Sequence, residues 1–147
     1  NNPPSAEYRE AVRRGIMELW QPVVNQWLPA NRQINLAEIV NQDPVVGVRV
    51  DYTYDREGFY DPYGGDFVKG RILLNPNKNP NPQTPCSVER TAAHETGHSF
   101  GFSHSPHLNQ IMNGINCSIP QLPSPFEGLV VATKYKLKNN SINTYTR

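Results

Sequence analysis

The amino-acid sequence predicts an α+β fold, with helices and strands in one domain. Apolar residues recur at helical spacing between positions 8 and 27, which favours a long first helix. Further along, residues 45 to 55 alternate between apolar and polar side chains, the pattern of a half-buried strand. The chain of 147 residues fits a single domain, and we expect only its ends, residues 1 to 4 and 138 to 147, to be loosely ordered.

The first predicted element is the long N-terminal helix. Ser5 follows a proline-bearing start and can accept a hydrogen bond from the first turn, as an N-cap does. One apolar face is predicted to be buried: Tyr8, Val12, Ile16, Leu19, Trp20, Val23 and Trp27. Pro22 lies inside this pattern and removes a backbone donor, so we expect a kink or a restart near Trp20, and we expect Pro29 to end the helix.

Three strands are predicted next, at residues 34 to 40, 45 to 55 and 71 to 75. The sequence from 55 to 70 is rich in Gly, Asp and aromatic residues and predicts turns. Residues 76 to 85 are rich in Pro and Asn and predict an irregular loop.

Two further helices are predicted from their capping residues. Ser87 can cap a helix that runs from about 88 to 100, and Gly101 is the kind of residue that ends a helix in a left-handed conformation. Residues 124 to 127, Ser-Pro-Phe-Glu, have the composition of a cap, a first-turn proline and a capping-box glutamate. They predict a last helix that extends to about Leu137.

The helix predicted from 88 to 100 carries the pattern His-Glu-x-x-His. Four residues advance about 400° around an α-helix, so His94 and His98 project from nearly the same face, one turn apart. Glu95 is rotated by about 100° from His94, which keeps its carboxylate out of the ligand set but lets it reach a water on a metal. This is the position that a general base requires.

A third ligand must come from beyond the helix. Gly101 stops the helix, and the chain can then return with His104. Three neutral imidazoles suit Zn²⁺ and leave a fourth position open for water, which is the arrangement of a catalytic zinc. His107 falls outside the spacing and is predicted to be an ordinary surface residue. The sequence therefore predicts one zinc ion bound by His94, His98 and His104.

The complete pattern, His-Glu-x-x-His-x-x-Gly-x-x-His from His94 to His104, resembles that of the metzincin clan of zinc metallopeptidases. The chain is most similar to the matrixin branch, because a serine directly follows His104 and Met112 lies eight residues after His104. The resemblance implies a metzincin-like catalytic domain with a small twisted mixed sheet, a long N-terminal helix, an active-site helix, a Met-turn that places Met112 beneath the zinc, and a C-terminal helix. It also implies an endopeptidase in which Glu95 activates a zinc-bound water to hydrolyse peptide bonds.

The resemblance further implies where a substrate binds. The strand from 71 to 75 would be the exposed edge of the sheet and would hold the substrate as an added antiparallel strand. The residues implied are Arg71, Ile72, Leu73, Leu74 and Asn75. The side-chain pocket would be lined by the segment from 113 to 122, which begins with Asn113, Gly114 and Ile115.

The chain departs from the matrixin pattern in several places. Asn-Gly-Ile-Asn-Cys follows Met112, where matrixins have a Pro-x-Tyr element that shapes the specificity pocket. The first strand before the long helix is missing, and so is the glycine-rich loop that binds a structural zinc, so we expect no second zinc. The acids of that region are expected to be solvated, with a calcium site as the alternative. They are Asp51, Asp55, Glu57, Asp61 and Asp66.

Cys86 and Cys117 lie on either side of the histidine cluster. They are either two free thiols or a disulfide, and we expect the disulfide. It would close a loop of about thirty residues and stabilise the fold by roughly 3 kcal/mol on the chain-entropy model. It would also join the start of the active-site helix to the pocket segment, and it favours a secreted, extracellular or periplasmic protein.

Charge and hydropathy exclude several partners. Charged residues make up 18% of the chain and the formal net charge is +1, so we expect no binding to nucleic acid or to an anionic membrane. No apolar run approaches the roughly 20 residues of a membrane span, and no signal peptide opens the chain. The chain begins at Asn1, which indicates processing of a longer precursor or trimming. We expect a monomer that acts on a protein or peptide substrate.

Three alternatives to a general peptidase stay open. A zinc-retaining but inactive binding module is disfavoured because Glu95 contributes nothing to a structural site. An archaemetzincin-like peptidase is disfavoured because that group has a cysteine-rich zinc motif directly after the third histidine, where this chain has Ser-Pro-His-Leu-Asn. An effector or toxin protease with one dedicated substrate fits the same residues.

Overall fold

The structure is a computed structural model of the chain. It describes residues 4–42, 47–53, 64–78, 87–114 and 121–145, with the side chains of the last helix as far as residue 136. Its helices and its four-stranded sheet confirm the predicted α+β class. Among the described residues, none of the helices combines the length and the apolar character that a bilayer crossing requires.

The N-terminal helical segment consists of two α-helices joined by a π-helical turn. Helix α1 spans Ala6–Arg13, the π turn spans Arg14–Glu18, and α2 spans Trp20–Asn25. The side chain of Ser5 accepts a hydrogen bond from the backbone N–H of Tyr8, which confirms the predicted cap.

The π turn inserts one extra residue into the helical repeat. Its closing hydrogen bond runs from the N–H of Leu19 to the carbonyl of Arg14, five residues back, at 3.0 Å. Helix α2 then begins at Trp20, where a restart was predicted. Pro22 lies in the first turn of α2, where a missing N–H costs least.

The π turn also changes which residues face the core. Beyond it, Val24 and Leu28 are buried, whereas Val23 is half-buried and Trp27 is 39% exposed. The predicted buried face at Val23 and Trp27 is therefore displaced by one residue, because the prediction expected a kink or restart near Trp20 but not the extra residue of a π turn.

The sheet follows a 3₁₀ turn at Ala30–Arg32. Its strands are β1 at Glu38–Val40, β2 at Val48–Tyr52, β3 at Gly65–Val68 and β4 at Arg71–Leu74. The strand order is β1-β2-β4-β3, with β1, β2 and β4 parallel and β3 antiparallel to β4. The sheet is therefore mixed, as predicted, but β3 lies in a stretch that was predicted to form only turns.

Strand β3, and not β4, is the antiparallel edge of the sheet. Strand β4 is paired on both sides, and its residues Ile72 and Leu74 are fully buried. The prediction that residues 71 to 75 form the exposed edge is therefore wrong, because the hairpin that joins β3 to β4 was not recognised. Its two loop residues, Lys69 and Gly70, have φ angles of 54° and 79°, the left-handed conformation that a two-residue hairpin requires.

Helix α3 spans Val88–Ser99, close to its predicted bounds. The side chain of Ser87 accepts a hydrogen bond from the backbone N–H of Arg90, so the predicted N-cap is confirmed. Gly101 has a φ of 99°, so the predicted left-handed ending is confirmed as well.

Helix α4 spans Pro125–Tyr145 and begins with the predicted capping box. The N–H of Ser124 donates to the carboxylate of Glu127 at 2.8 Å, and the N–H of Glu127 donates to the hydroxyl of Ser124 at 3.1 Å. The helix continues to Tyr145 rather than ending near Leu137, because no glycine or proline follows Gly128 to stop it.

Helix α3 packs between the N-terminal helical segment and the sheet, and its residues 91 to 97 are buried. The indole N–H of Trp20 donates to the carbonyl of Ala93 at 2.7 Å. Gly15 in the π turn allows a close approach, because a Cβ there would lie 2.3 Å from the carbonyl oxygen of Glu89. These contacts hold the helix that carries the predicted metal ligands.

Candidate metal centre

Three histidines form a cluster where α3 ends and the chain turns back. The Nε2 atom of His104 lies 3.2 Å from Nε2 of His94 and 3.2 Å from Nε2 of His98. One ligand nitrogen from each ring lies within 4.8 Å of the others. Within the described residues this is the one group of three or more His, Cys, Asp or Glu side chains close enough to bind a metal ion. The three predicted ligands are therefore close enough to hold one metal ion.

The other ring nitrogen of two of these histidines is held by a backbone carbonyl. Nδ1 of His94 lies 2.7 Å from the oxygen of Ile111, and Nδ1 of His98 lies 2.8 Å from the oxygen of Phe102. A carbonyl oxygen only accepts hydrogen bonds, so each Nδ1 carries the proton and each Nε2 presents its lone pair to the cluster. This is the tautomer in which Nε2 binds a metal.

Burial keeps His94 neutral. The residue is 2% exposed, and desolvation lowers the pKa of its imidazole to about 3. The hydrogen bond to Ile111 acts in the opposite direction, and the nearby charge of Arg90 lowers the pKa further. At neutral pH His94 is therefore an unprotonated imidazole, which is the form that binds metal.

Met112 packs against the turn of α3 that lies between the first two histidines. It is 1% exposed, and a Cβ on Gly97 would lie 2.2 Å from its Sδ atom and 3.0 Å from the ring of Trp20. Only a glycine at position 97 leaves room for the sulfur at this distance. The structure thus places Met112 against the helix that carries His94 and His98.

Gly114 lies against the ring of His104. A Cβ on Gly114 would lie 2.6 Å from Cε1 and 2.8 Å from Nε2 of His104. Because His104 is exposed and comes from a loop, this contact limits the positions that its ring can adopt. The N–H of Ser105 also donates to the carbonyl of Met112 at 2.8 Å, which ties the chain beside His104 to the segment that contains Gly114.

Glu95 is buried beside the edge strand β3. It is 3% exposed, and a Cβ on Gly65 would lie 3.2 Å from its Cγ atom and 3.4 Å from Oε1. Phe67, two residues further along β3, stacks on His98 with ring centroids 6.5 Å apart and an angle of 16° between the planes. The edge strand therefore borders both the predicted base and one of the predicted ligands.

Buried Arg90 connects α3 to the loop that follows it. Its guanidinium donates to the carbonyl of Asn113 and, at 2.8 Å, to the side-chain oxygen of Gln121. The amide of Gln121 donates in turn to the carbonyl of Leu108 at 2.7 Å, and the amide of Asn113 donates to the carbonyl of Ser105 at 3.1 Å. This network fixes the chain on both sides of the segment that contains Met112.

The remaining predicted residues are buried, exposed or outside the described part of the chain. Asn113 is 1% exposed, so its side chain does not line an open substrate pocket, and Asn75, predicted as part of the strand that holds the substrate, is 0% exposed. His107 is exposed and lies outside the cluster, as predicted. The predicted residues that lie outside the described part of the chain are Ile115, Cys86, Cys117, Asp55, Glu57 and Asp61.

The two described acids of the calcium alternative are engaged within the sheet. Asp51 forms ion pairs with Arg71 at 2.9 Å and with Arg49 at 3.3 Å. Oδ1 of Asp66 accepts a hydrogen bond from the N–H of Phe67 at 2.8 Å. Neither acid belongs to a cluster of metal-ligating side chains in the part of the chain that the structure describes.

Among the residues that shape the site and were not predicted are Arg90, Gly97 and Phe67. The sequence offers a signal for Gly97 alone, because a glycine inside a helix costs stability and often marks close packing. Arg90 and Phe67 act through contacts with distant segments, for which a single sequence has no periodic signal.

Comparison with known proteins identified no relative of the chain. No protein-family model matches the chain, and no curated protein and no solved structure matches it either. The fold and the site therefore define the chain as an α+β domain with three histidines that are close enough to bind one metal ion.

Proposed function

We propose that the chain is a zinc-dependent endopeptidase with a metzincin-like catalytic domain. The observation that carries the proposal is the buried carboxylate of Glu95 on the helix that carries His94 and His98, together with the convergence of the three histidine Nε2 atoms. A purely structural zinc site has no use for a carboxylate that is not a ligand. A hydrolytic site needs one as a base, at this spacing on a helix.

The residues of the cluster fit a zinc ion. Zinc binds neutral imidazole, and burial keeps His94 in that form. The carbonyls that hold Nδ1 of His94 and His98 aim their Nε2 atoms at a common point. With His104 they supply three protein ligands, the number found in catalytic zinc sites. When bound, zinc supplies Lewis acidity toward the scissile carbonyl and toward water.

Glu95 is the general base in this proposal. Its carboxylate takes a proton from the attacking water and returns it to the amine of the leaving group. Because Glu95 is buried on α3 against Gly65 of β3, its side chain has little freedom to move before a substrate arrives. A fixed base avoids the reorganisation that a mobile side chain would require.

A substrate adds to β3 in this proposal, and not to β4 as the sequence suggested. Strand β3 is the edge of the sheet, and it borders Glu95 through Gly65 and His98 through Phe67. An extended peptide pairs with such an edge through main-chain hydrogen bonds. Residues 71 to 74 support β3 from the side away from the substrate.

The experiment is a cleavage assay on an unfolded protein and a peptide library, with metal analysis of the same samples. We expect the wild type to contain one equivalent of zinc and to cleave, and a chelator to abolish cleavage. The isosteric Glu95→Gln variant should keep its zinc. Its cleavage rate should fall by a factor on the order of 10² to 10⁴, which is the usual contribution of a general base.

Two histidine variants provide a matched control. His104→Ala should lose both zinc and activity, whereas His107→Ala, only three residues away and outside the cluster, should keep both. A wild type that binds one equivalent of zinc without cleaving any peptide would leave the inactive binding module as the function. A Glu95→Gln variant as fast as the wild type would show that Glu95 is not the base.

A further inference from the structure

Among the described strands, β3 forms an edge of the sheet, and this edge exposes the main-chain groups of alternate residues. Strand β3 is antiparallel to β4, and the N–H of Asn75 donates to the carbonyl of Gly64 at 2.8 Å. Hydrogen-bonded and non-hydrogen-bonded pairs alternate along an antiparallel ladder. The main chain of Asp66 therefore faces β4, whereas the N–H and C=O groups of Gly65 and Phe67 face away from it.

The carboxylate of Asp66 accepts a hydrogen bond from one of these outward-facing N–H groups. Oδ1 of Asp66 accepts a hydrogen bond from the N–H of Phe67 at 2.8 Å. The side chain is half-buried, and no Lys or Arg within the described ranges forms an ion pair with it. A peptide strand that pairs with β3 needs the N–H of Phe67. The carboxylate must then turn away and find another partner.

That partner is supplied by the side chain that lies opposite Asp66 on the added strand. Because the main chain of Asp66 bonds to β4, its pairing with an added strand is of the non-hydrogen-bonded kind, in which side chains lie closest. Residues alternate between the two faces of a strand, and Phe67 faces α3 by stacking on His98. Asp66 and its neighbour on the substrate therefore lie on the other face, away from the three histidines.

We propose that Asp66 makes the enzyme select substrates with Lys or Arg at the position opposite it. This inference rests on the proposed peptidase function and adds a substrate class to it. A Lys or Arg side chain of the substrate replaces the N–H of Phe67 as the partner of the Asp66 carboxylate. An Asp or Glu side chain at the same position is repelled by that carboxylate. Opposite-charge cross-strand pairs are favourable and like-charge pairs are unfavourable, so basic substrates should be preferred to acidic ones by about threefold to tenfold.

The test compares the cleavage profiles of the wild type, Asp66→Asn and Asp66→Lys on a peptide library randomised at each position. We expect the wild type to enrich Lys and Arg at one position near the cleaved bond. Asp66→Asn should lose that enrichment, and Asp66→Lys should reverse it toward Asp and Glu. Glu7→Gln is the matched control, because it removes one exposed carboxylate from α1, away from β3, and should keep the wild-type profile.

Equilibrium binding gives a second measurement that does not depend on turnover. Peptides that carry Lys, Gln or Glu at the selected position are titrated into the Glu95→Gln variant and into the same variant with Asp66→Asn. The Lys peptide should bind more tightly than the Glu peptide to the first protein and equally well to the second. If the wild type cleaves and all three profiles are the same, the role of Asp66 is wrong and the peptidase proposal stands. If the wild type cleaves nothing, both are wrong.

Discussion

At the scale of single residues, Gly114 lies against His104, the one candidate metal ligand that α3 does not carry. A Cβ on Gly114 would lie 2.6 Å from the ring of His104, well inside van der Waals contact. We predict that Gly114→Ala pushes this ring out of the cluster and weakens zinc binding by about tenfold to a hundredfold, the range found for residues that orient ligands. Competition with a chromophoric chelator measures this change.

The two variants Gly114→Ala and His104→Ala form a double-mutant cycle. If Gly114 acts only through His104, then Gly114→Ala has no further effect on zinc affinity once His104 is alanine. The free energy of unfolding of the zinc-free protein should change by less than about 0.5 kcal/mol, because the exposed ring of His104 can swing into solvent. Additive losses in zinc affinity would contradict this role.

The cluster of three histidines could be predicted because its geometry is local. His94 and His98 are related by one helical turn, and a glycine stop allows His104 to return within a few residues. The contacts that orient the rings could not be predicted in the same way. The carbonyl of Ile111 contacts Nδ1 of His94, and Gly114 leaves room for the ring of His104 because it has no side chain. Both contacts depend on how the loop after α3 packs against that helix.

At the scale of elements, the helical boundaries were predictable where a capping residue specifies them. Both α3 and α4 begin at the predicted caps. The π turn was not predictable from local spacing. It contains a hydrogen bond that runs five residues back, and it is stabilised by packing against α3, which lies far away in the sequence. Its consequence is a shift of the buried face from Val23 to Val24.

Strand β3 was missed for a related reason. Its four residues include only two large apolar side chains, Phe67 and Val68, so no alternating pattern stands out. Pairing with β4 through the hairpin at Lys69 and Gly70 forms the strand. The Lys-Gly pair inside a predicted turn region was the signal that could have found it.

Arg90 is the residue through which α3 holds the loop around Met112. We predict that Arg90→Met lowers the free energy of unfolding of the zinc-free protein by about 2 to 4 kcal/mol, because it leaves the carbonyl of Asn113 and the side chain of Gln121 buried without this donor. Zinc affinity should fall as well, since the same loop supplies the carbonyl of Ile111 that orients His94. Urea unfolding and zinc titration measure the two effects.

A second arginine, which contacts α3 from the N-terminal helical segment, serves as the control. Arg14 pairs with Glu89 of α3 at 3.2 Å, but both side chains are partly exposed. Ion pairs of this kind contribute roughly 0 to 1 kcal/mol, so Arg14→Met should have a small effect on unfolding and none on zinc affinity. Equal effects of the two substitutions would mean that the network around Arg90 does not support the site.

At the scale of the whole molecule, the cluster is held by contacts from most parts of the chain. The N-terminal segment packs on one side of α3, and β3 and β4 pack on the other. From α4, Nζ of Lys134 donates to the carbonyl of Phe100 at 2.9 Å, at the end of α3 where helix carbonyls lack partners. The ligand atoms therefore converge only in the folded chain, and an unfolded chain has no comparable site.

It follows that zinc binding at this cluster would be thermodynamically linked to folding. A ligand that binds only the folded state stabilises it by about 2.7 kcal/mol when its free concentration is a hundred times its dissociation constant. For a chain of this size, that corresponds to a rise in Tm of roughly 5 to 10 °C. We predict this rise when zinc is added to the chelator-treated protein, measured by calorimetry or by circular dichroism at several zinc concentrations. The dependence on zinc concentration separates binding to the folded state from a nonspecific effect of salt, because only the former grows logarithmically with free zinc.

The histidine variants decide whether the linkage acts through the cluster. His107→Ala should keep the full rise in Tm because its side chain lies outside the cluster, whereas His104→Ala should lose most of it. The zinc-free forms of both variants should melt close to the zinc-free wild type, because both side chains are exposed and neither contributes to the core. If zinc raised the Tm of the His104→Ala variant as much as that of the wild type, the stabilising ion would bind elsewhere. The convergence of the three Nε2 atoms would then have to be explained by packing alone.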